Sequence, residues 1–295
     1  MKRLCWVIEP HYPLGKPRRL TAGIERMLRL NLLQKWYAPA NEALEDTLFD
    51  SQAIRTYAGI DLGSEDFPGA TTILKFRHPL EADDLPWQIF AEVEELLSQR
   101  KLLMKEGTIV DASIISAPLS TKNPSQKRTP EMPQSKKGNQ GYFGMKARIG
   151  VDTQSGLVHS VTGTAANVAD IIQTHQFLHG EEQEVSADAG FQGVKKREAV
   201  VALVREGWSG ISSTKRGRAR SMAEGMIKKL TLSLKRVKAQ FRAMAEDSFH
   251  VLKNIFRHRK TPYRELAKNT AQLYIFFALA KLFFARRTLR NPARP

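Results

Sequence analysis

Three carboxylates in this chain are of a type and order that could share a pair of divalent cations: Asp111, Asp188 and Glu246. Asp111 sits in the apolar run GTIVDASII, Asp188 closes the run EVSADAG, and Glu246 lies in the basic segment FRAMAEDSFHVLKNIFRHRK. Two strand-end aspartates and one helical glutamate supply the hard oxygens that magnesium requires, and the chemistry they suit is two-metal phosphoryl transfer. Arg242 precedes Glu246 by four residues and Lys253 follows it by seven. At about 100° per residue, all three fall on one helical face. Cations on both sides of such a carboxylate are placed to hold phosphates. A lone strand-end Asp is more often a turn residue, and an Arg–Glu–Lys stripe more often a solvated, ion-paired face. The chemical reading therefore needs all three carboxylates together.

The elements that must position them follow from hydrophobic periodicity. Residues 1–104 read as mostly helical, with helices over 20–37 (Thr21 near its start), 41–49 and 83–103. A short basic helix over 67–78 presents Lys75 and Arg77. Such a set suits either a helix-turn-helix-like DNA module or a helical dimerisation cap. Strand character begins near Gly107, and 108–115 is the first strand. Residues 116–141, rich in Pro, Ser, Lys and Gln, read as a long mobile loop carrying Lys136 and Lys137. Two strands over 142–164 flank a turn at Asp152–Gly156, and a helix over 167–179 has Asn167 at its N-cap. A fourth strand ends at Asp188, a helix spans 194–207, and a weak fifth strand covers 207–213. This order predicts an α/β fold with a mixed five-stranded sheet flanked by helices, preceded by an all-helical region. The division is 1–104 and 105–295, the second part ending in basic helices.

The charge balance is 46 Lys and Arg against 30 Asp and Glu, a net +16. That excess points to a polyanionic partner such as nucleic acid. Between Lys215 and Lys260 there are 14 basic residues and three acids, with Lys215, Arg216, Arg218 and Arg220 forming a phosphate-tracking run and Arg257, Arg259 and Lys260 closing the segment. A single cysteine, Cys5, excludes an intramolecular disulfide framework and cysteine-rich zinc sites, and fits a reducing cytoplasm. The stretch 272–285 is too short to span a bilayer and contains Lys281, so it reads as a core helix. Asp152 and Asp170 are assigned to structure, His159 to packing, and Trp208 to core rather than base stacking. Glu181, Glu182 and Glu184 read as a solvated loop. His175 and His179 read as a solvated face, because no Glu completes a zinc register.

At this level of detail the chain resembles the Asp-Asp-Glu transposases of bacterial insertion sequences, in the insertion-sequence-five group. The resemblance runs nearly end to end through TTILKFRH, EGTIVDASIISAPLSTKN, KKGNQGYFGMKARIGVD, SGLVHSVTGTAANVAD, ADAGFQG and RELAKNTAQLYIFFALAKLFFARR. The group's signature Tyr-x2-Arg-x3-Glu-x6-Lys is met by Arg242, Glu246 and Lys253, with Ala239 in the place of the Tyr. The resemblance implies a ribonuclease-H-like core using two magnesium ions, for which manganese may substitute. Asp111 would bridge both ions, with Asp188 and Glu246 each completing one. It further implies cleavage at terminal inverted repeats of double-stranded DNA and joining of the 3′-hydroxyl ends to target DNA. A homodimer or higher assembly on DNA, no membrane, and a bacterial cytoplasmic, nucleoid-associated location complete the expectation. A catalytically impaired copy acting as a DNA-binding repressor, and a nuclease of the same core, are the competing readings.

Overall fold

Apolar residues crowd the start of Gly107–Ser116 (β1), where the first four positions are all buried, as befits a strand covered on both faces. The computed structural model describes residues 1–12, 23–38, 40–61, 68–81, 84–119, 128–137, 139–180, 182–187, 209–212, 225, 233, 239–240 and 242–290. Within these, β1 is the centre of a mixed sheet. Gln140–Asp152 (β3) pairs with it antiparallel, and Val158–Ala165 (β4) pairs antiparallel with β3. On the other side Glu184–Ala187 (β5) runs parallel to β1, and Ser209–Ser212 (β6) runs parallel to β5. The order is therefore β4–β3–β1–β5–β6, with Gln134–Lys137 (β2) added to the first half of β3.

Among the described residues six α-helices precede the sheet: Lys2–Ile8 (α1), Ile24–Tyr37 (α2), Asn41–Asp50 (α3), Gln52–Ala58 (α4), Ala70–Glu81 (α5) and Leu85–Gln99 (α6). The long helix Leu266–Arg290 (α7) packs against α6 on one side and β4 on the other. Gly163 permits that approach, since a Cβ there would lie 2.1 Å from Thr270 Oγ1. One continuous apolar core runs from Ile8 to Ala285, so the helical region and the sheet share it. Lys281, wholly buried within α7, donates to Phe90 O at 3.1 Å and pairs with Glu94 at 3.3 Å. Burial pushes its pKa down to about 7 against the opposing pull of Glu94. This is how a lysine survives inside the apolar stretch 272–285.

Several expectations change. The segment 116–141, expected as a loop, contains β2 and the start of β3, joined as a hairpin. The helix expected over 167–179 is a 3-10 helix, Asp170–Phe177, with Ala169 rather than Asn167 at its N-cap. Its Asp170 carboxylate is held instead by Arg148 Nε at 2.9 Å and Lys146 Nζ at 3.0 Å, both on β3. Helix α2 begins after Gly23, without a side-chain cap, and Thr21 lies outside the described residues. The helix expected over 194–207 and Trp208 also lie outside them.

Glu182, expected on a solvated loop, is buried. Its carboxylate accepts from His179 N at 2.7 Å and Gly180 N at 2.8 Å, closing the loop before β5. His179, exposed just beyond the 3-10 helix, contacts Glu182 and His159. His159 packs as expected, with Nε2 3.1 Å from Thr108 Oγ1 and Nδ1 2.9 Å from Ser160 Oγ.

Burial, aided by His179, Lys105 and Lys281, lowers the His159 pKa to about 3. Burial, aided by Lys35, lowers that of His258 to about 4. Both imidazoles are neutral in the fold, while the unfolded chain protonates them below about 6.5. Stability contributed by this difference is present above that pH and lost as the pH falls toward 4. We predict a decline of about 1 kcal/mol per pH unit for each histidine in that window. Thermal melts between pH 7.5 and 5 should show it, and His258→Phe should flatten the slope; an unaltered slope would contradict the assignment.

Candidate active site

Asp111, expected at a strand end, is instead the fifth of the ten residues of β1, and it follows Val110, whose register partner in β5 is Ala187. It is half-buried and sits opposite Ile149 of β3, so its backbone is fixed by the centre of the sheet. Asp188, the second candidate, lies outside the described residues. Ala187, which precedes it in sequence, is the register partner of Val110, which precedes Asp111.

Glu246 lies on a helix over 242–250 that continues into a π-helix, Val251–Ile255. Ala245, Ser248, Phe249 and Leu252 are buried on one side of this element, as is Phe256 just beyond it. Phe249 meets Phe277 edge-on at 6.0 Å, while Phe256 meets Phe276 and Trp36 at 5.7 and 5.1 Å. The opposite side exposes Arg242 and Glu246, whose Nε and Oε1 are 2.8 Å apart. Glu246 is thus a surface carboxylate on a helix anchored by aromatic packing.

Lys253 does not point out to solvent as the stripe of cations suggested. Its Nζ donates to Ser113 Oγ at 2.6 Å and to Ile114 O at 2.9 Å. Ser113 is two residues from Asp111 and therefore on the same face of β1. Further along, Ser116 N donates to Arg259 O and Thr261 N to Ser116 O, a parallel bridge between Ser116 and Lys260. Residues 253–261 thus run beside β1 in the same sense, 253 level with 113–114 and 260 level with 116. Traced back two helical turns from Lys253, Glu246 lies toward the Asp111 end of the strand. Met244, two residues earlier, approaches Gly156 in the β3–β4 turn, next to the start of β1. The π-helix lies at the Lys253 contact; such widened turns are frequent at functional sites.

Asp111 and Glu246 carry carboxylates, the hard-oxygen donors that a magnesium-type cation prefers. Among the described residues, no three His, Cys, Asp or Glu side chains converge as a metal cluster. Arg257, Arg259 and Lys260 are exposed, the last two beside the end of β1, and Lys75 on α5 and Lys136 on β2 are exposed as well. Arg77, expected to face DNA, instead pairs with Glu81 at 3.3 Å and lies over the Tyr263 ring. The side chain of Lys137 and the run Lys215, Arg216, Arg218 and Arg220 lie outside the described residues.

Residues 103–281, more than half of the chain, match a family model described as Transposase DDE domain. The chain belongs to that transposase family. Residues 2–79 match a second model, described as Transposase domain (DUF772), which covers α1 to α5 up to Pro79. No solved structure matches the chain. The transposase is by this membership an enzyme acting on DNA. Among its described residues, no helix is long and apolar enough to cross a membrane.

Proposed function

We propose that this transposase, of the insertion-sequence-five group, cleaves the terminal inverted repeats of its element and joins the 3′-hydroxyl ends to target DNA. The observation that carries the reading is the Lys253 contact, which fixes the Glu246 helix against the strand bearing Asp111. The strand order supports a ribonuclease-H-like core: a central β1 with an antiparallel pair on one side and a parallel pair on the other. Asp111, Asp188 and Glu246 would hold two magnesium ions, which when bound supply an activated oxygen nucleophile and neutralise the leaving oxygen. Asp111 contributes a carboxylate whose position the sheet determines. Arg242 restrains the Glu246 carboxylate and adds a cation beside it. Arg257, Arg259 and Lys260 offer phosphate contacts along the same edge, and such contacts are independent of base sequence. Residues 1–104 serve as the DNA-binding and assembly region, 105–295 as the catalytic domain, and the assembly on DNA is a homodimer or larger.

The test is to incubate the purified chain, with and without magnesium, with DNA carrying the ends that flank its own gene. Magnesium-dependent cleavage leaving 3′-hydroxyl ends, followed by joined products, is expected. Hydrolysis without joining would leave a nuclease, and binding without cleavage a repressor; either result overturns the proposal.

The Lys253 geometry makes a separate prediction. Lys253→Met should lower cleavage by about 10²-fold through misplacement of Glu246, as small shifts of catalytic groups do. DNA affinity should change little, and Lys253→Arg should restore part of the rate. If the loss appears in affinity and in its salt dependence instead, Lys253 is a phosphate contact and the positioning role fails.

A further inference from the structure

A groove of about 830 Å³ opens between α1, α2, α4, α6 and α7. Its floor is apolar, built from side chains such as Leu33, Trp36, Ile54 and Phe283. Its edge is basic: Lys2, Arg100 and Arg286 are exposed around it, and Arg3 is paired with Glu92. Tyr37 and Tyr57 also line it, 60% and 44% exposed in a position where monomeric proteins rarely leave aromatic rings together.

The neighbouring helix α3 shows the complementary character. Leu44 and Leu48 bury one side of it, while Glu42, Asp46, Phe49 and Asp50 are exposed on the other. At about 100° per residue these four occupy one stripe roughly 100° wide. Phe49, 55% exposed, forms one edge of this stripe beside the three acids. In a chain with a net charge of +16, an outward acidic stripe is the exception. It repels DNA and suits a basic-edged apolar groove.

We propose that the groove receives the α3 stripe of a second copy of this chain. Phe49 seats on the apolar floor, and Asp46 and Asp50 face Arg100 and Arg286. Helices α3 and α4 are separated only by Ser51, so donor stripe and accepting groove lie on adjoining elements. The proposed contact is reciprocal and two-fold, each copy both inserting and receiving. Buried aromatic anchors surrounded by charged pairs are the usual energetic plan of such interfaces. This contact needs neither DNA nor metal, so it stands apart from the catalytic reading and can fail without it.

The experiment is analytical ultracentrifugation of the full chain without DNA or magnesium, over a range of concentrations. A monomer–dimer equilibrium is expected. The charge reversals Asp46→Lys with Asp50→Lys, and Arg100→Glu with Arg286→Glu, should each weaken it by at least about tenfold. Mixing the two reversed variants should restore association, because both contacts in the mixed pair become complementary. Restoration by mixing also shows that each variant is folded. A chain that is monomeric throughout, a dimer indifferent to both reversals, or a mixture that fails to associate overturns the proposal.

Discussion

Asp111→Ala and Glu246→Ala should each reduce magnesium-dependent DNA cleavage by at least about 10³-fold, equivalent to losing several kcal/mol of charge stabilisation. Neither change removes a backbone pairing. Glu246 is 58% exposed, and its one described ion pair, to Arg242, is itself at the surface. Asp111 is half-buried, and its strand is held by backbone pairing with Ile149 that an alanine preserves. DNA binding should therefore survive in both variants, since the exposed cations Arg257, Arg259 and Lys260 are untouched. Glu246→Gln keeps the shape and removes the charge, so it should be as inactive as the alanine variant. Retention of full cleavage by any of these proteins would remove that residue from the proposed site. Loss of DNA binding together with cleavage would point to a different role for the carboxylate.

Asp170→Ala should destabilise the protein by about 3 kcal/mol, the scale for stranding a buried charge. Arg148 has no exposed surface, and Asp170 is its only anionic partner among the described residues. Its other partners, Thr164 Oγ1 and Val168 O at 2.6 Å, are neutral. Burial lowers the Arg148 pKa and Asp170 opposes that shift, so removing the carboxylate leaves the guanidinium with desolvation and little compensation. A urea titration measures the loss as a lower midpoint with an unchanged slope. Replacing Arg148 by Met in the same background should recover part of it, because the stranded charge is then gone. If the double variant is no more stable than Asp170→Ala alone, the ion pair is not what holds β3, β4 and the Asp170–Phe177 helix together.

The elements that sequence periodicity reveals are those whose burial is regular. The strand 108–115, the hairpin around Asp152–Gly156 and the helix over 272–285 correspond to β1, the β3–β4 turn and part of α7. Hairpin β2–β3 was hidden by composition, because Lys136 and Lys137 read as loop cations. Its signal was the Gly138–Asn139 dipeptide between two short runs. The burial of Glu182 was not legible, since the amides of His179 and Gly180 that satisfy it belong to a loop whose path is tertiary. The position of Lys253 illustrates the same limit. Helical geometry placed it on the face of Glu246, but a π-turn and a strand 140 residues earlier decide where its ammonium goes. The candidate site rests on residue types and order in the sequence, whereas the contact that holds the Glu246 helix against β1 depends on pairing between distant segments.

Helix α7 is sandwiched between α6 and β4, with Lys281 sealed against Phe90 and Glu94. During synthesis, neither partner surface can be covered until the ribosome has delivered residues 266–290. The nascent chain must hold the α6 face open from residue 99 and the β4 face from residue 165 until residues 266–290 emerge, a period in which premature association is the main hazard. A message interrupted before that helix would yield a product without a closed interior, destined for proteolysis rather than for service as a shortened DNA binder.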